Sequence, residues 1–225
     1  MNNFLPNVND VRREFIDRLD NEDFVTDKTG VKTIEIIGLT FLADEDAIFG
    51  EVNWDYVERE IAWYESKSLY VKDIPGKTPD IWNQVSDKNG KINSNYGWCL
   101  FSGENGFQYD HVLHELLNNP NSRRAQAIFT RPQMWNDYNH NGRSDFMCTD
   151  AYQFFIRDDA LSLHVRMRSN DMLYGYKNDR AFANYVLDKL VKEYNKFSFD
   201  KVIKGDIIWT AGSAHIYDRH FHLVK

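Results

Sequence analysis

Residues 144–171, SDFMCTDAYQFFIRDDALSLHVRMRSND, decide the fold, because apolar and polar side chains alternate on both sides of Asp158-Asp159. The apolar positions are Tyr152, Phe154 and Ile156 before the aspartates, and Leu161, Leu163, Val165 and Met167 after them. A period of two residues predicts strands, and the short polar pair predicts a tight turn, so the stretch should form an antiparallel hairpin. Cys148 begins the first strand and Arg168-Ser169 ends the second, which puts both at the end of the hairpin opposite the turn. The hairpin therefore predicts a thiol beside a guanidinium.

Composition limits the classes of function that remain. The 225 residues, 42% of them hydrophobic, can bury a sizeable core, so we expect a single domain over residues 1–225. The net charge of -7 argues against a general nucleic-acid or membrane surface, since both need clustered basic residues. No basic leader followed by an apolar run and no long apolar segment occurs, so we expect a cytoplasmic protein. Its cysteines, Cys99 and Cys148, should then be reduced thiols.

A helix is predicted over residues 53–67, and it carries an acid among its apolar positions. Trp54, Val57, Ile61 and Tyr64 recur at steps of three and four residues, and Glu60 falls within that stripe. Burial would raise the pKa of the Glu60 carboxyl toward the range that suits proton transfer. The residues alone leave a second interpretation open, an ordinary acid at the edge of the stripe.

The rest of the chain mixes helices and strands without regular alternation, which predicts an α+β fold. Helices are predicted over 10–21 (capped by Asp10), 107–117 and 179–197, strands over 33–37 and 125–130, a mostly irregular segment over 75–95, and turns at Asn141-Gly142 and Gly205-Asp206. His111, His114 and Glu115 lack a complete set of metal ligands. Residues 137–148 superficially match a calcium loop, but its last position is Cys148, so we predict no metal site.

Several further motifs resemble the thymidylate synthase superfamily. They are Asp27-Lys28-Thr29-Gly30, Asn95-Tyr96-Gly97-Trp98, Ser122-Arg123-Arg124, Arg168-Ser169-Asn170-Asp171, Gly175, Asn178-Asp179, and GSAHIYDRH at 212–220. The resemblance implies that superfamily's fold, a large mixed or antiparallel sheet with helices packed on one side. It also implies a homodimer that packs sheet to sheet, in which Arg123 and Arg124 reach the partner's nucleotide phosphate.

The resemblance also implies a reaction and a role for each matching residue. In the superfamily a cysteine thiolate adds to carbon 6 of a pyrimidine nucleotide, and 5,10-methylenetetrahydrofolate supplies a one-carbon unit to carbon 5. The implied catalytic residues are Cys148 as nucleophile, Glu60 for proton transfer, Tyr96 beside the nucleophile, and Asp179 at the base. Lys28, Arg168, Ser169 and Asn170 would bind the nucleotide with the partner's Arg123 and Arg124, His215 and Tyr217 would bind the sugar, and Asp171, Trp82 and Gly175 would face the folate.

Asp179 is the most informative departure from the synthase pattern, which has asparagine there. A carboxylate only accepts hydrogen bonds, which suits cytosine with its exocyclic amine and a protonated ring nitrogen, whereas an amide suits uracil. Segments such as DKTGVKTIEIIG (27–38) and INSNYGW (92–98) also look like the branch of the superfamily that hydroxymethylates deoxycytidylate in bacteriophages. The expected reaction therefore adds a one-carbon unit and water to dCMP, giving 5-hydroxymethyl-dCMP and tetrahydrofolate.

Other outcomes stay open. The synthase triplet Pro-Cys-His is Met147-Cys148-Thr149 here, and Lys177-Asn178 replaces Pro-Phe before the base-reading residue. These differences weaken any inference that hydride is transferred. A dCMP methyltransferase, a CMP-specific hydroxymethylase and a non-catalytic nucleotide-binding relative remain as alternatives. Other phage enzymes of nucleotide synthesis are further possible partners, and neither nucleic acid nor membrane is expected to bind directly.

Overall fold

The structure is a computed structural model that describes residues 5–26 and 30–225. It divides into two compact units, and each is described by itself. The first unit comprises the chain up to Val52 together with Ile156–Lys225, and the second comprises Asn53–Phe155. Within the described ranges, no helix has the length and apolar character needed to cross a bilayer.

In the described residues, the first unit is a mixed sheet with two α-helices. Its elements are α1 (Val8–Asp20), β1 (Val25–Thr26), β2 (Lys32–Leu42), β5 (Ala160–Asp171), α7 (Gly175–Phe197) and β6 (Ile203–Tyr217). The strands lie in the order β1-β2-β6-β5. β2 is antiparallel to β6, whereas β5 is parallel to β6, because α7 provides the crossover that two consecutive parallel strands need. The predicted α+β class and mixed sheet are confirmed.

The second unit is mainly helical. Its elements are α2 (Trp54–Ser66), α3 (Asp80–Val85), α4 (Tyr96–Phe101), α5 (Gln108–Asn118), β3 (Gln126–Ile128), α6 (Met134–Asp137) and most of β4 (Thr149–Arg157). β3 pairs antiparallel with β4, with Ala127 opposite Tyr152. Both of these side chains are buried, as the alternation of apolar residues in β4 requires.

The predicted turn between β4 and β5 is confirmed at Asp158-Asp159. Both residues have positive φ, 49° and 57°, which is the backbone of a two-residue turn between antiparallel strands. Aspartate tolerates this left-handed conformation better than most residues, because its short side chain can bond locally. The turn ends β4 and begins β5 within the first unit.

Three local predictions were wrong. α1 is capped by Asn7 rather than Asp10, because Asp10 occupies the third helical position and completes a reciprocal capping box with Asn7. Asn141-Gly142 does not join two strands and ends a 3-10 turn instead. Gly205 is not a turn but lies inside β6, where a Cβ would come within 2.3 Å of the Ser162 hydroxyl.

Several bounds differ from those predicted. The irregular segment over 75–95 contains α3, the strand predicted over 125–130 shortens to β3, β2 extends to Leu42, and α7 begins at Gly175 rather than at Asp179. The buried face of α2 is also rotated. Trp63 is fully buried, whereas Trp54 is 52% exposed, so the apolar stripe read from the sequence was partly wrong.

Candidate active site

Glu60 lies on the buried face of α2. The helix begins after Asn53, whose side chain accepts a hydrogen bond from the Tyr56 backbone amide at 3.1 Å, and it ends at Lys67 in a left-handed conformation. Glu60 is 4% exposed and shares its face with Val57 and Trp63. The interpretation of Glu60 as a buried acid is therefore confirmed, and the edge-of-stripe alternative is wrong.

Two hydrogen bonds define the surroundings of the Glu60 carboxyl. The Tyr56 hydroxyl donates to Glu60 Oε1 at 2.5 Å, and the Trp82 indole Nε1 donates to the Tyr56 oxygen at 2.9 Å. Burial raises the pKa of Glu60 to about 7, and the Tyr56 and Trp82 donors oppose that rise. A carboxyl group with this pKa exchanges protons at neutral pH, which is what a general acid and base requires.

The two cysteines differ in their surroundings. Cys148 is half-buried immediately before β4, and its Sγ lies 3.9 Å from the Phe146 carbonyl oxygen. Cys99 is fully buried on α4, and burial raises the pKa of its thiol to about 12. Cys99 therefore fills space in the core, and Cys148 is the thiol that solutes can reach.

Tyr96 is held in an aromatic cluster next to the helix that carries Glu60. Its ring stacks on Tyr64 of α2, with centroids 5.4 Å apart, and meets the edge of Phe129 at 5.5 Å. Gly97 allows this approach, because a Cβ at that position would lie 1.9 Å from the Tyr64 carbonyl oxygen. Tyr96 is 5% exposed, and the role implied for it beside the nucleophile stays a prediction.

Tyr56 and Thr149 are candidate functional residues that the sequence analysis missed. Thr149 directly follows Cys148, is 1% exposed, and its hydroxyl has no hydrogen-bond partner among the described residues. A buried hydroxyl without a partner is costly, so it marks a place where a ligand or water molecule belongs. The spacing of four residues between Tyr56 and Glu60 was the available signal for Tyr56, because such residues are neighbours on a helix.

Arg123 and Arg124 lie on the surface between α5 and β3. Arg124 forms an ion pair with Glu115 at 3.1 Å, and the Ser122 hydroxyl also donates to Glu115 at 2.5 Å. The Arg124 side chain is 79% exposed, so this pair contributes little to stability and does not fix the guanidinium. That either arginine reaches a partner's phosphate stays a prediction.

In the first unit, the register between β5 and β6 brings predicted site residues together. Asp171 pairs with His215, and Ser169 pairs with Ser213. The His215 ring is 7% exposed and meets the Tyr217 ring edge-on, with centroids 5.0 Å apart. The two residues implied to bind the sugar therefore lie next to each other beside the end of β5.

Asp179 is held by Asn170 in a polar relay within the first unit. The Trp209 indole donates to Asn170 Oδ1 at 3.2 Å, and Asn170 Nδ2 donates to Asp179 Oδ2 at 2.9 Å. An indole N–H can only donate, so it fixes which end of the Asn170 amide points to Asp179. Asp179 is therefore the acceptor of the hydrogen bond from Asn170. Asn170 is 3% exposed, and the nucleotide contact implied for it stays a prediction.

Gly175, at the start of α7, lies close to the side chains of Asn170 and Asp179. A Cβ there would be 3.2 Å from Asn170 Nδ2 and 3.7 Å from Asp179 Oδ2, so a larger residue would crowd the relay. Asp171, a few residues earlier, accepts a hydrogen bond from the Leu173 amide at 2.9 Å. Trp82, the third residue implied to face the folate, belongs to the second unit and binds Tyr56.

Some predicted contacts stay predictions. Cys148 and Arg168 belong to different units, and Arg168 is exposed at the end of β5. Lys28, implied to bind the phosphate, lies outside the described residues. Over 5–26 and 30–225, no group of three or more His, Cys, Asp or Glu side chains is arranged to hold a metal ion.

The raised pKa of Glu60 predicts a pH dependence of stability. The unfolded carboxyl titrates near 4.5 and the folded one near 7, so stability falls as pH rises between these values, by roughly 3 kcal/mol at most. Glu60→Gln keeps an acceptor for Tyr56 but has no charge to bury. In urea unfolding, we expect it to gain stability over the wild type from pH 5 to pH 8. Glu58→Gln, at an exposed position of α2, serves as control, and parallel curves for Glu60→Gln and the wild type would contradict the prediction.

Comparisons with known proteins agree with this arrangement. A family model described as thymidylate synthase matches residues 13–225. The deoxycytidylate 5-hydroxymethyltransferases of Enterobacteria phages T4 and T2 are each 55% identical over 218 residues, covering 96% of this chain and 89% of theirs. A thymidylate synthase of Bacillus subtilis subsp. natto is 30% identical over 182 residues, covering 78% of this chain and 61% of that protein.

A solved structure supports the same assignment. Thermostable thymidylate synthase A from Bacillus subtilis matches with a TM-score of 0.69 and 25% identity, covering 97% of this chain and 82% of that one. The family match extends through both compact units rather than one of them. The expectation drawn from the sequence motifs is confirmed: the chain belongs to the thymidylate synthase family.

Proposed function

We propose that this chain transfers a one-carbon unit from 5,10-methylenetetrahydrofolate to carbon 5 of dCMP and adds water, giving 5-hydroxymethyl-dCMP and tetrahydrofolate. The choice of cytosine as the base rests on Asp179, which accepts a hydrogen bond from Asn170. The Trp209 indole fixes the orientation of the Asn170 amide. Relatives that are 55% identical and named deoxycytidylate 5-hydroxymethyltransferase support the same reaction.

Cys148 is the proposed nucleophile. Its sulfur forms a bond to carbon 6 of the pyrimidine, which makes carbon 5 electron-rich, and the bond breaks when the product is released. Covalent attachment of this kind divides one difficult step into easier ones. The half-buried position of Cys148 supports this role, because Cys99 is fully buried and its raised pKa keeps it a neutral thiol.

Glu60 is the proposed proton carrier. After the one-carbon unit joins carbon 5, that carbon loses its proton as the bond between the new carbon and the folate nitrogen breaks, which releases tetrahydrofolate. A water molecule must then lose a proton as its oxygen bonds to the new carbon and the bond from Cys148 to carbon 6 breaks. A carboxyl group with a pKa of about 7 can take up and release these protons at neutral pH. Its buried position also limits exchange with bulk water.

Asp179 is the proposed reader of the base. An ionised carboxylate can accept from the exocyclic amine of cytosine and from its protonated ring nitrogen, whereas uracil presents a carbonyl that the carboxylate would leave unpaired. A site built on hydrogen bonds can reject such a mismatch by a factor of about 10⁴. Asn170 supports this role by donating to Asp179 Oδ2, so the carboxyl group already serves as an acceptor.

The residues implied to hold the folate fit the chemistry of its pterin ring, which offers N–H donors and flat faces. Asp171 supplies a carboxylate acceptor, and the Tyr174 and His220 rings lie near it, with their centroids 5.0 Å apart. His220 Nδ1 is buried without a partner among the described residues, so it has a hydrogen bond to offer. Methylenetetrahydrofolate, when bound, would supply the one-carbon unit at the oxidation level of formaldehyde.

The phosphate and the dimer form the remaining part of the proposal. Arg168 and Ser169 would bind the dCMP phosphate together with Lys28 and with the partner's Arg123 and Arg124. Guanidinium groups suit this task, because their fork-shaped donors match phosphate oxygens. The exposure of Arg123 and Arg124 supports a role outside their own chain, and a symmetric homodimer would then contain composite sites.

The product identifies the reaction. With dCMP and methylenetetrahydrofolate, mass spectrometry should show a gain of one CH2O unit on the nucleotide, and Cys148→Ala should abolish it because no sulfur can add to carbon 6. Cys99→Ala is the matched control and should keep activity at a temperature where it is folded. A gain of CH2 would show a methyltransferase, and no product with well-folded protein would favour a nucleotide-binding relative. Faster turnover of CMP than dCMP would overturn the choice of sugar.

Asp179→Asn tests the choice of base. An amide both donates and accepts, so it can pair with uracil, and the ratio of kcat/KM for dCMP over dUMP should fall by at least about 100-fold. Asp188→Asn, further along α7 and exposed, should leave the ratio unchanged. An unchanged ratio in Asp179→Asn would show that another residue reads the base.

Hybrid dimers test the composite site. Cys148→Ala and the double variant Arg123→Ala/Arg124→Ala should each be inactive alone, but their random mixture should recover about a quarter of wild-type activity. Half of the dimers would then be hybrids, each with one intact site. A mixture of Cys148→Ala with Asp179→Asn should stay inactive on dCMP, because each chain would lack one of the two residues that the proposed reaction needs. No recovery in the first mixture would rule out the shared arginines.

A further inference from the structure

The hydrogen bonds around Glu60 involve a residue to which no role has been assigned so far. Tyr56 lies one turn before Glu60 on α2, and its hydroxyl donates to Glu60 Oε1 at 2.5 Å. The Trp82 indole on α3 donates to the same hydroxyl oxygen at 2.9 Å. We propose that Tyr56, oriented by Trp82, is a positioning residue that holds the Glu60 carboxyl for proton transfer. This inference rests on the proposed function of Glu60.

The relay has a fixed direction. An indole N–H can donate but never accept, so the Tyr56 oxygen must be the acceptor in the bond from Trp82. The single proton of the hydroxyl is then free to point to Glu60. Burial, followed by the nearby Glu60, raises the pKa of Tyr56 well above its ordinary range, so the hydroxyl remains a donor at every working pH. Trp82 therefore makes Tyr56 a permanent donor to Glu60.

A donor that is always present affects a buried carboxyl in two ways. It stabilises the charged form, which opposes the effect of burial and keeps Glu60 able to lose its proton near neutral pH. It also fixes the rotation of the carboxyl group, because Oε1 is bound. Tyr56 is bonded to Oε1 of Glu60, and Trp82 is the second donor that opposes the rise in the pKa of Glu60.

Arg59 holds the two parts of the relay in place. It bonds to the Asp55 carboxylate at 3.0 Å on α2, and to the carbonyl oxygens of Pro75 and Lys77 at 3.1 Å and 3.0 Å in the segment before α3. Its guanidinium also lies over the Tyr56 ring, 5.5 Å from the centroid. Trp82 lies on α3. Arg59 therefore connects the segment that precedes α3 to α2, the helix that carries Tyr56 and Glu60.

Among the described residues, two side chains act together with burial on the pKa of Glu60. Tyr56 on its own helix and Trp82 on α3 act on the pKa of Glu60 beside burial, and Arg59 acts on that of Tyr56. Removing the Tyr56 hydroxyl therefore takes away the donor that is bonded directly to the carboxyl. The pKa of Glu60 should rise as a result.

Tyr56→Phe tests the proposal by activity. It keeps the ring and removes the hydroxyl, so kcat for dCMP hydroxymethylation should fall about 10-fold to 100-fold, with KM for dCMP changed less than about two-fold. The limb of the pH profile that reports Glu60 should move to higher pH by about one unit. Tyr70→Phe, which removes an exposed hydroxyl in the same unit, should change neither. A fall in kcat with an unmoved pH limb would show a merely structural role and overturn the proposal.

Direct titration of Glu60 separates this inference from the proposed function. In protein labelled with ¹³C at the glutamate carboxyls, the resonance lost in Glu60→Gln identifies Glu60, and its pKa should be higher in Tyr56→Phe than in the wild type. An unchanged pKa overturns the relay. A raised pKa in a protein that yields no hydroxymethyl-dCMP would support the relay and refute the proposed reaction. If Tyr56→Phe does not fold, Trp82→Phe should shift the pKa in the same direction by a smaller amount, and an unchanged pKa there refutes the proposal.

Discussion

The parallel pairing of β5 with β6 is the constraint on which the polar end of the first unit depends. α7 connects the two strands, so the residues that end β5 lie beside the residues that end β6, and the start of α7 lies close by. The register between β5 and β6 therefore places Asp171 opposite His215 and allows Asn170 to donate a hydrogen bond to Asp179. A shift by one residue would turn these side chains to the other face of the sheet and dissolve the arrangement.

In the second unit the corresponding constraint is the burial of the Glu60 carboxyl group. Glu60 costs stability when charged, and the fold retains it with a tyrosine and a tryptophan placed to compensate. Glycine at position 97 lets α4 approach α2 closely enough to close the aromatic cluster beside it. Such an acid is poorly suited to stabilising a domain and well suited to moving protons, which is why its surroundings carry the proposed chemistry.

The sequence predicted those features that depend on local pattern. Alternation of apolar residues identified the hairpin around Asp158-Asp159, and helical spacing placed Glu60 within an apolar stripe but left open whether its carboxyl is buried. It could not rank Asn7 against Asp10 as a cap, because both side chains serve and only the reciprocal bonds decide. Gly205 reads as a turn residue, whereas the structure needs it for the close approach to Ser162. Trp209, which bonds to Asn170, and Trp82, which bonds to Tyr56, lie on other elements, so no spacing rule could specify them.

The contrast between the two sulfur atoms has a practical consequence. Cys99 is sealed inside the protein, whereas Cys148 is partly open to solvent. An alkylating reagent applied to the native protein should therefore label one position per chain, so the stoichiometry of modification counts the accessible Cys148 thiols. A nucleotide that covers Cys148 would slow that labelling, so its affinity could be measured without any turnover.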